Sequence, residues 1–417
     1  MFREVLIQAW AALRRNTLRS VLTMLGIVWG IAALTILIAY GDSFRSILVH
    51  LFEAGGKSVV VAWPGQTSQQ AGGERSGRRI RFERADVDAI REEATLVKRS
   101  SLETVQWLSP SYGERVANGP IKGVDPDYGA IRNETPEVGR WISPEDALER
   151  RRVVFLGGKM ARKLFSGRPA IDESIEIMGT RFTVIGVMGR KPSFNNYMGP
   201  DDEAAFIPYT AASDLWHARY ASDIVFEPVS SSLEKKAMEQ VRAILAKRKD
   251  FSPTDDHAVR MFGREEFRPV IDSISIGLQA LLLFIGALTL GIGGVGVMNI
   301  MLVSVEERIR EIGLRRALGA RRRHIMGQFL SEALVLTLPA GLFGFVLAHL
   351  VALAVGTLPL MGPLFEDTSG RVDIHLVVSP GTVLVASIVL TLVGVASGLV
   401  PALRASRLDP ANSLRYE

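Results

Sequence analysis

Four long runs carry no charged residue, and the positions between them alternate apolar and polar residues. Ser20 to Gly41, Ser273 to Val305, Ala333 to Phe365 and Ile374 to Leu403 contain no Asp, Glu, Lys or Arg. Each can hold a helix of about 20 apolar residues, enough to cross roughly 30 Å of hydrocarbon. A soluble core helix needs only an apolar stripe, so four spans are predicted. The first apolar run is too long for the core of a signal peptide, and no Ala-x-Ala-like site follows it. An uncleaved anchor is expected. Between the first two spans the pattern shortens. Strands are predicted at 57–63, 151–157 and 174–188, the last folded back at Met178-Gly179-Thr180, and helices at 83–94, 158–165 and 231–250. Residues 66–79, rich in Gly, Ser and Gln, read as a loop. The strand order does not follow from the pattern.

Charge orients the spans. Arg3, Arg14, Arg15 and Arg19 precede the first span, and Arg308, Arg310, Arg315, Arg316, Arg321, Arg322 and Arg323 lie between the second and third. Arg404, Arg407 and Arg415 follow the fourth, whereas the connection between the third and fourth has Arg371 against Glu366, Asp367 and Asp373. Arginine-rich connections stay in the cytoplasm. The expected organisation is therefore a cytoplasmic N-terminal segment (1–20), a first span (21–41), a large extracytoplasmic α+β domain with helical stalks (42–272), a second span (273–303), a cytoplasmic connector (304–328), a third span (329–356), a short outer loop (357–381), a fourth span (382–403) and a cytoplasmic tail (404–417). The stalks rest on Phe44, Ile47, Leu48 and Leu51 after the first span and Phe267, Ile271, Ile274 and Leu278 before the second, all at helical spacing. The fold class is thus an α-helical membrane protein with an inserted α+β domain.

Composition narrows the function. The chain has 417 residues, 47% of them hydrophobic, and a net charge of +5 that owes much to the inner arginines. A nucleic-acid partner is not indicated. There is no cysteine, and the six histidines form no metal-ligand spacing, so zinc and thiol chemistry are not expected. Gly56-Lys57-Ser58 resembles the end of a phosphate-binding loop, but Leu51 stands where its first Gly belongs. Gly158-Lys159 is followed by Met160, which has no hydroxyl for magnesium. No catalytic, cofactor or metal residue is assigned. Asn299 and His349 are polar groups within spans, and Gly291 and Gly294 with Asn299 are read as helix-packing positions, including packing between two copies.

The densest charge lies in VSVEERIREIGLRRALGARRRHI, residues 303–325, where Glu306, Glu307 and Glu311 interleave with seven arginines. Val305, Ile309 and Ile312 form one apolar stripe, and Leu314, Ala317 and Leu318 begin another. With Gly313 between them and Gly319 after, a bent or two-part helix is predicted. A topology anchor needs only the arginines; interleaved acids suit a helix that lies along the membrane surface or docks on another protein.

Residues 294–334 as a whole, GVGVMNIMLVSVEERIREIGLRRALGARRRHIMGQFLSEAL, resemble the hallmark segment of the MacB/FtsX-like permeases of the ABC transporter superfamily. Residues 18–34 and 398–417 resemble that family's first span and its last span with tail. IKGVDPDY (121–128), VVFLGGKMARKLF (153–165) and FTVIGVM (182–188) are similar to its outer domain. The resemblance implies mechanotransmission: an ATPase dimer closes beneath two permeases, and the movement reaches the outer domain through a coupling helix and the spans. It implies a cytoplasmic ATPase dimer carrying ATP and Mg, a second copy or a related permease, membrane lipid around the spans and the bacterial inner membrane, and it leaves room for a periplasmic adaptor and an outer-membrane channel. Since few residues precede the first span, the ATPase is expected on a separate chain. The coupling role falls on Glu306, Glu307, Arg308, Arg310, Glu311, Ile312, Gly313, Arg315, Arg316, Gly319 and Ala320. The competing reading, a membrane-anchored sensor, would call for an inner signalling segment, and none is recognisable.

Overall fold

The apolar runs are helices in this computed structural model, which describes residues 17–54, 56, 58–70, 76–189, 197–216, 218–360, 362 and 372–409. Most of the expected N-terminal segment (1–16), the middle of the 66–79 loop (71–75), much of the short outer loop (363–371) and the end of the tail (410–417) lie outside the described residues. The chain divides into two compact units, one of Leu48–Asp272 with Met361–Val372 and the other of Met1–Ile47, Ser273–Leu360 and Asp373–Glu417.

The first of these is built on one sheet. After helix α1 (Thr17–Ala54) come β1 (Val60–Pro64), α2 (Arg84–Glu93), β2 (Val97–Leu108), β3 (Ser111–Tyr112), β4 (Arg115–Val116), β5 (Gly119–Val124), α3 (Tyr128–Arg132) and β6 (Pro136–Gly139). Then follow α4 (Pro144–Leu148), β7 (Val153–Leu156), α5 (Gly158–Phe165), β8 (Ser174–Ile177), β9 (Thr180–Met188), β10 (Ala205–Pro208), α6 (Tyr209–Trp216), β11 (Asp223–Pro228), α7 (Glu234–Lys249) and β12 (Val259–Phe262). The strands form a single 12-stranded sheet in the order β12-β1-β11-β2-β5-β10-β7-β9-β8-β3-β4, with β6 also on β9. Pairing is antiparallel except for β10 with β5 and β7 with β9. Alternation along β1 explains the layers. Val60 and Ala62 face a core shared with α2 and α7, while Val59 and Val61 join Tyr128, Phe155 and Phe206. A third cluster lies under α5 and α6. The fold-back predicted at 178–180 is a tight turn between β8 and β9, with Met178 at φ 50 and Gly179 at φ 75. Left-handed values at both positions match the twist of a two-residue hairpin.

Charge is sealed inside this sheet. Lys122 in β5 and Arg132 in α3, 1% and 0% exposed, meet Asp201, whose oxygens lie 2.9 Å from Lys122 Nζ and 2.8 Å from Arg132 Nη2. Lys122 is also 3.2 Å from Glu103, which accepts from the hydroxyls of Tyr128 and Tyr197. Asp223 stands directly across from Glu103 in the β2–β11 ladder. Both are fully buried, and no neighbouring donor reaches the oxygens of Asp223. Burial, reinforced by the Glu103 carboxylate, pushes Asp223 well above the ordinary carboxylate range.

Among the described residues, four helices are long and apolar enough to cross a membrane. They are α1, α8 (Arg264–Glu307), α10 (Arg322–Val355) and α11 (Pro380–Arg407); α9 (Ile309–Ala317) links α8 to α10. A short ribbon of β13 (Thr357–Leu358) and β14 (Ile374–His375) joins α10 to α11. Helices α1 and α8 are longer than the spans assigned to them, ending at Ala54 and beginning at Arg264, so both stalk segments are helical, with Pro269 accommodated inside α8. Close approach within this unit falls on glycines of α8. A methyl group at Gly293 would stand 3.0 Å from the backbone of Gly26 in α1, and one at Gly294 would stand 2.7 Å from Val393 in α11. Such contacts suit helix association in lipid. Gly291 has nothing within 4 Å of that position, and Asn299 is exposed. Within the chain, Gly293 and Gly294 are positions of close approach to α1 and α11.

Candidate functional site

The charged segment is not one helix over 304–328. Ser304 to Glu307 complete α8, Arg308 breaks it at φ −110, ψ 14, α9 follows, and the residues from Arg322 onward belong to α10. The predicted division is present, but it falls at Arg308 and at 318–321 and not at Gly313, which lies buried inside α9. Gly319 closes α9 by its conformation. At φ 97 it donates to the Arg316 carbonyl, and Ala320 donates to that of Arg315, the paired bonds of a Schellman C-cap. Glu311 in the first turn and Arg315 and Arg316 in the last complement the helix dipole.

The two apolar stripes go to opposite destinations. Val305 and Ile312 are buried against Ile325, Phe329 and Ala405, with Ile309 half-buried and Ala320 packed beside them. Leu314 and Leu318 point outward, 51% and 80% exposed. One helix therefore carries an inward stripe that fixes it and an outward pair that its own chain leaves uncovered. A single helix with two displaced stripes looks, in sequence, like one bent at the glycine between them, Gly313.

The charged residues divide in the same way. Arg308 Nη1 lies 3.3 Å from both carboxylate oxygens of Glu332, which is 3% exposed in α10. Arg315 donates to Gln328 at 2.7 Å and to Glu311. Arg316 donates to the carbonyls of Ser406 at 3.0 Å and Leu408 at 2.6 Å, satisfying the last turn of α11. Three of the arginines expected to meet a partner are thus occupied within the chain. Facing outward are Glu306, in an exposed pair with Arg404 at 3.4 Å, together with Glu307, Arg310 and Glu311. Arg310 has no ion partner among the described residues. Arg310, Glu311, Leu314 and Leu318 recur at helical spacing on one side of α9 and its C-cap, with Glu307 exposed at the end of α8. Sequence reasoning missed Glu332 and Gln328; the available signal was an acid standing immediately before the charge-free run at Ala333.

Among the described residues no group of three or more His, Cys, Asp or Glu side chains is placed to hold a metal. The charged turn is fixed on one side, with apolar and charged side chains exposed on the other.

The chain matches the MacB-like periplasmic core domain over residues 20–244 and the FtsX-like permease C-terminal domain over residues 283–410. It is 33% identical over 418 residues to a protein of Bdellovibrio bacteriovorus named as a macrolide export ATP-binding/permease protein, covering 99% of this chain and 62% of that one. A protein of the same name from Chlorobaculum tepidum is 31% identical, with 99% and 61% covered. The chain spans about three fifths of the length of these relatives. It is also similar, at 14% identity and a TM-score of 0.42, to the crystal structure of the periplasmic region of MacB from Actinobacillus actinomycetemcomitans, covering 54% of this chain and 97% of that one. The chain belongs to the MacB/FtsX-like family of ABC transporter permeases, with four helices able to span a membrane and a periplasmic core domain inserted after the first.

Proposed function

We propose that this chain is the membrane-spanning subunit of an ABC export complex in the bacterial cytoplasmic membrane, and that it works by mechanotransmission. An ATPase dimer, which binds ATP and Mg, docks on the outward side of α9, and its closure is passed through the spans to the periplasmic domain. A second permease, identical or related, completes the assembly, and the substrate is handled from the outer side. The observation that carries this reading is the pair Leu314 and Leu318, exposed among Glu307 and Arg310 on a helix whose opposite stripe is buried. Soluble surfaces seldom leave two neighbouring leucines this open without a partner. The relatives named as ATP-binding/permease proteins support an ATP-driven partner of this kind.

The test is substitution on that face alone. Apolar anchors at the centre of an interface are worth about 2 kcal/mol or more each. Leu314→Asp combined with Leu318→Asp should leave insertion unchanged and abolish co-purification of an ATP-binding partner from native membranes. Glu307→Gln and Arg310→Gln should weaken the complex more mildly. Undiminished co-purification with the doubly substituted chain would refute the docking face.

A further inference from the structure

Glu332 stands where a spanning helix has no general reason to carry an acid. It lies in α10, buried, and its carboxylate faces the joint at which α8 ends and α9 begins. That joint is Arg308. Its N–H donates to the Val305 carbonyl at 3.2 Å, its own carbonyl accepts from Ile312 at 3.0 Å, and its guanidinium is gripped by both oxygens of Glu332. Gln328, one turn earlier on α10, donates to Glu332 at 3.3 Å and accepts from Arg315 at 2.7 Å. Two side chains one turn apart on α10 therefore hold two arginines two turns apart along the neighbouring helix.

We infer that Glu332, aided by Gln328, is the positioning residue of this turn, latching Arg308 so that α9 moves with α10 as one body. The inference rests on the docking reading above and adds what makes the docked helix able to transmit. Where a helix is interrupted, its hydrogen-bond ladder is too, and a push on α9 would be lost in swivelling at Arg308. The apolar contacts of Ile312 resist separation but set no direction. A charge-assisted contact from Arg308 Nη1 to the Glu332 carboxylate, shared with Gln328, ties the two helices at a defined point. Stability alone is a poor reason for the pair, because apolar replacements of a buried ion pair are often neutral or better.

The test uses spin labels on the full-length chain in lipid nanodiscs, with no partner present. The chain has no cysteine, so Arg310→Cys on α9 and Gly327→Cys on α10, both exposed, give a single labelled pair. The wild-type background should give one narrow distance. Glu332→Met should broaden it. Arg308→Met with Glu332→Met should recover thermal stability yet stay broad, because packing returns without direction. The exchanged pair Arg308→Glu with Glu332→Arg should restore the narrow distance. A distribution as narrow as wild type in the double methionine variant would overturn the inference, since packing alone would then brace the turn, as would a narrow one in Glu332→Met. Failure of the docking reading shows elsewhere, in co-purification with the Leu314 and Leu318 variants.

Discussion

Two of the chain's networks of arginine or lysine with carboxylates end differently. In the periplasmic core domain Lys122, Arg132, Glu103, Asp201 and Asp223 are all at most 3% exposed, and burial holds Asp223 well above the ordinary carboxylate range. In the turn around α9 one edge is equally buried, at Glu332, while the other opens to Glu307, Arg310 and two exposed leucines. A sealed network can do nothing but define its own sheet. One that is half open is fixed from behind and has chemistry left over in front. Burial on both sides, more than the number of charges, separates structural clusters from candidate interfaces, because a group already desolvated and paired has nothing to offer a partner.

The largest effect expected lies in the sealed network. Lys122→Met would leave Glu103 and Asp201 buried without one of their cations, a loss of roughly 3–5 kcal/mol. Hydrogen exchange of the full chain should show the sheet unit opening globally, with α9 unchanged. If α9 loosened to the same degree, the two networks would not be independent.

Titration sharpens the contrast. The folded-state pKa of Asp223 is raised above its unfolded value of about 3.9. Its contribution to stability is therefore complete below that value and is lost as pH rises through the raised one. The sheet unit should weaken as pH rises above about 4, and Asp223→Asn should flatten that dependence in urea unfolding followed by pulse proteolysis. An identical pH profile in the variant would place the proton elsewhere.

A smaller effect is expected at the edge of the open network. Glu306 and Arg404 are 54% and 59% exposed, and such pairs contribute about 0.2–1 kcal/mol at most. Glu306→Gln should leave thermal unfolding and α9 exchange within error of wild type. A clear loss of partner binding in that variant would extend the docking face towards α11.

Much of this was legible beforehand, unevenly. The spans announced themselves because a bilayer demands uninterrupted apolar length, and the β8–β9 hairpin because Met178-Gly179 interrupts two apolar runs. The sheet order was hidden by distance along the chain. β1 pairs with β11 and β12, over 160 residues away, and β2 escaped because Ser100, Ser101, Glu103 and Thr104 are polar yet buried. In the charged turn the composition pointed to docking, but which arginines face outward depends on α10 and α11 behind them. Arg308, Arg315 and Arg316 read like Arg310 in the sequence and differ only in having Glu332, Gln328 and the carbonyls of Ser406 and Leu408 within reach.

The most direct test of the central claim is capture at the outward face in native membranes. A single cysteine at Leu318, carrying a photo-activated cross-linker, should yield one dominant adduct with an ATP-binding protein, and the same probe at Tyr220, exposed in the periplasmic core domain, should yield none with it. Adducts at Leu318 with lipid or other proteins but no ATP-binding protein, under conditions in which the complex is intact, would contradict the account.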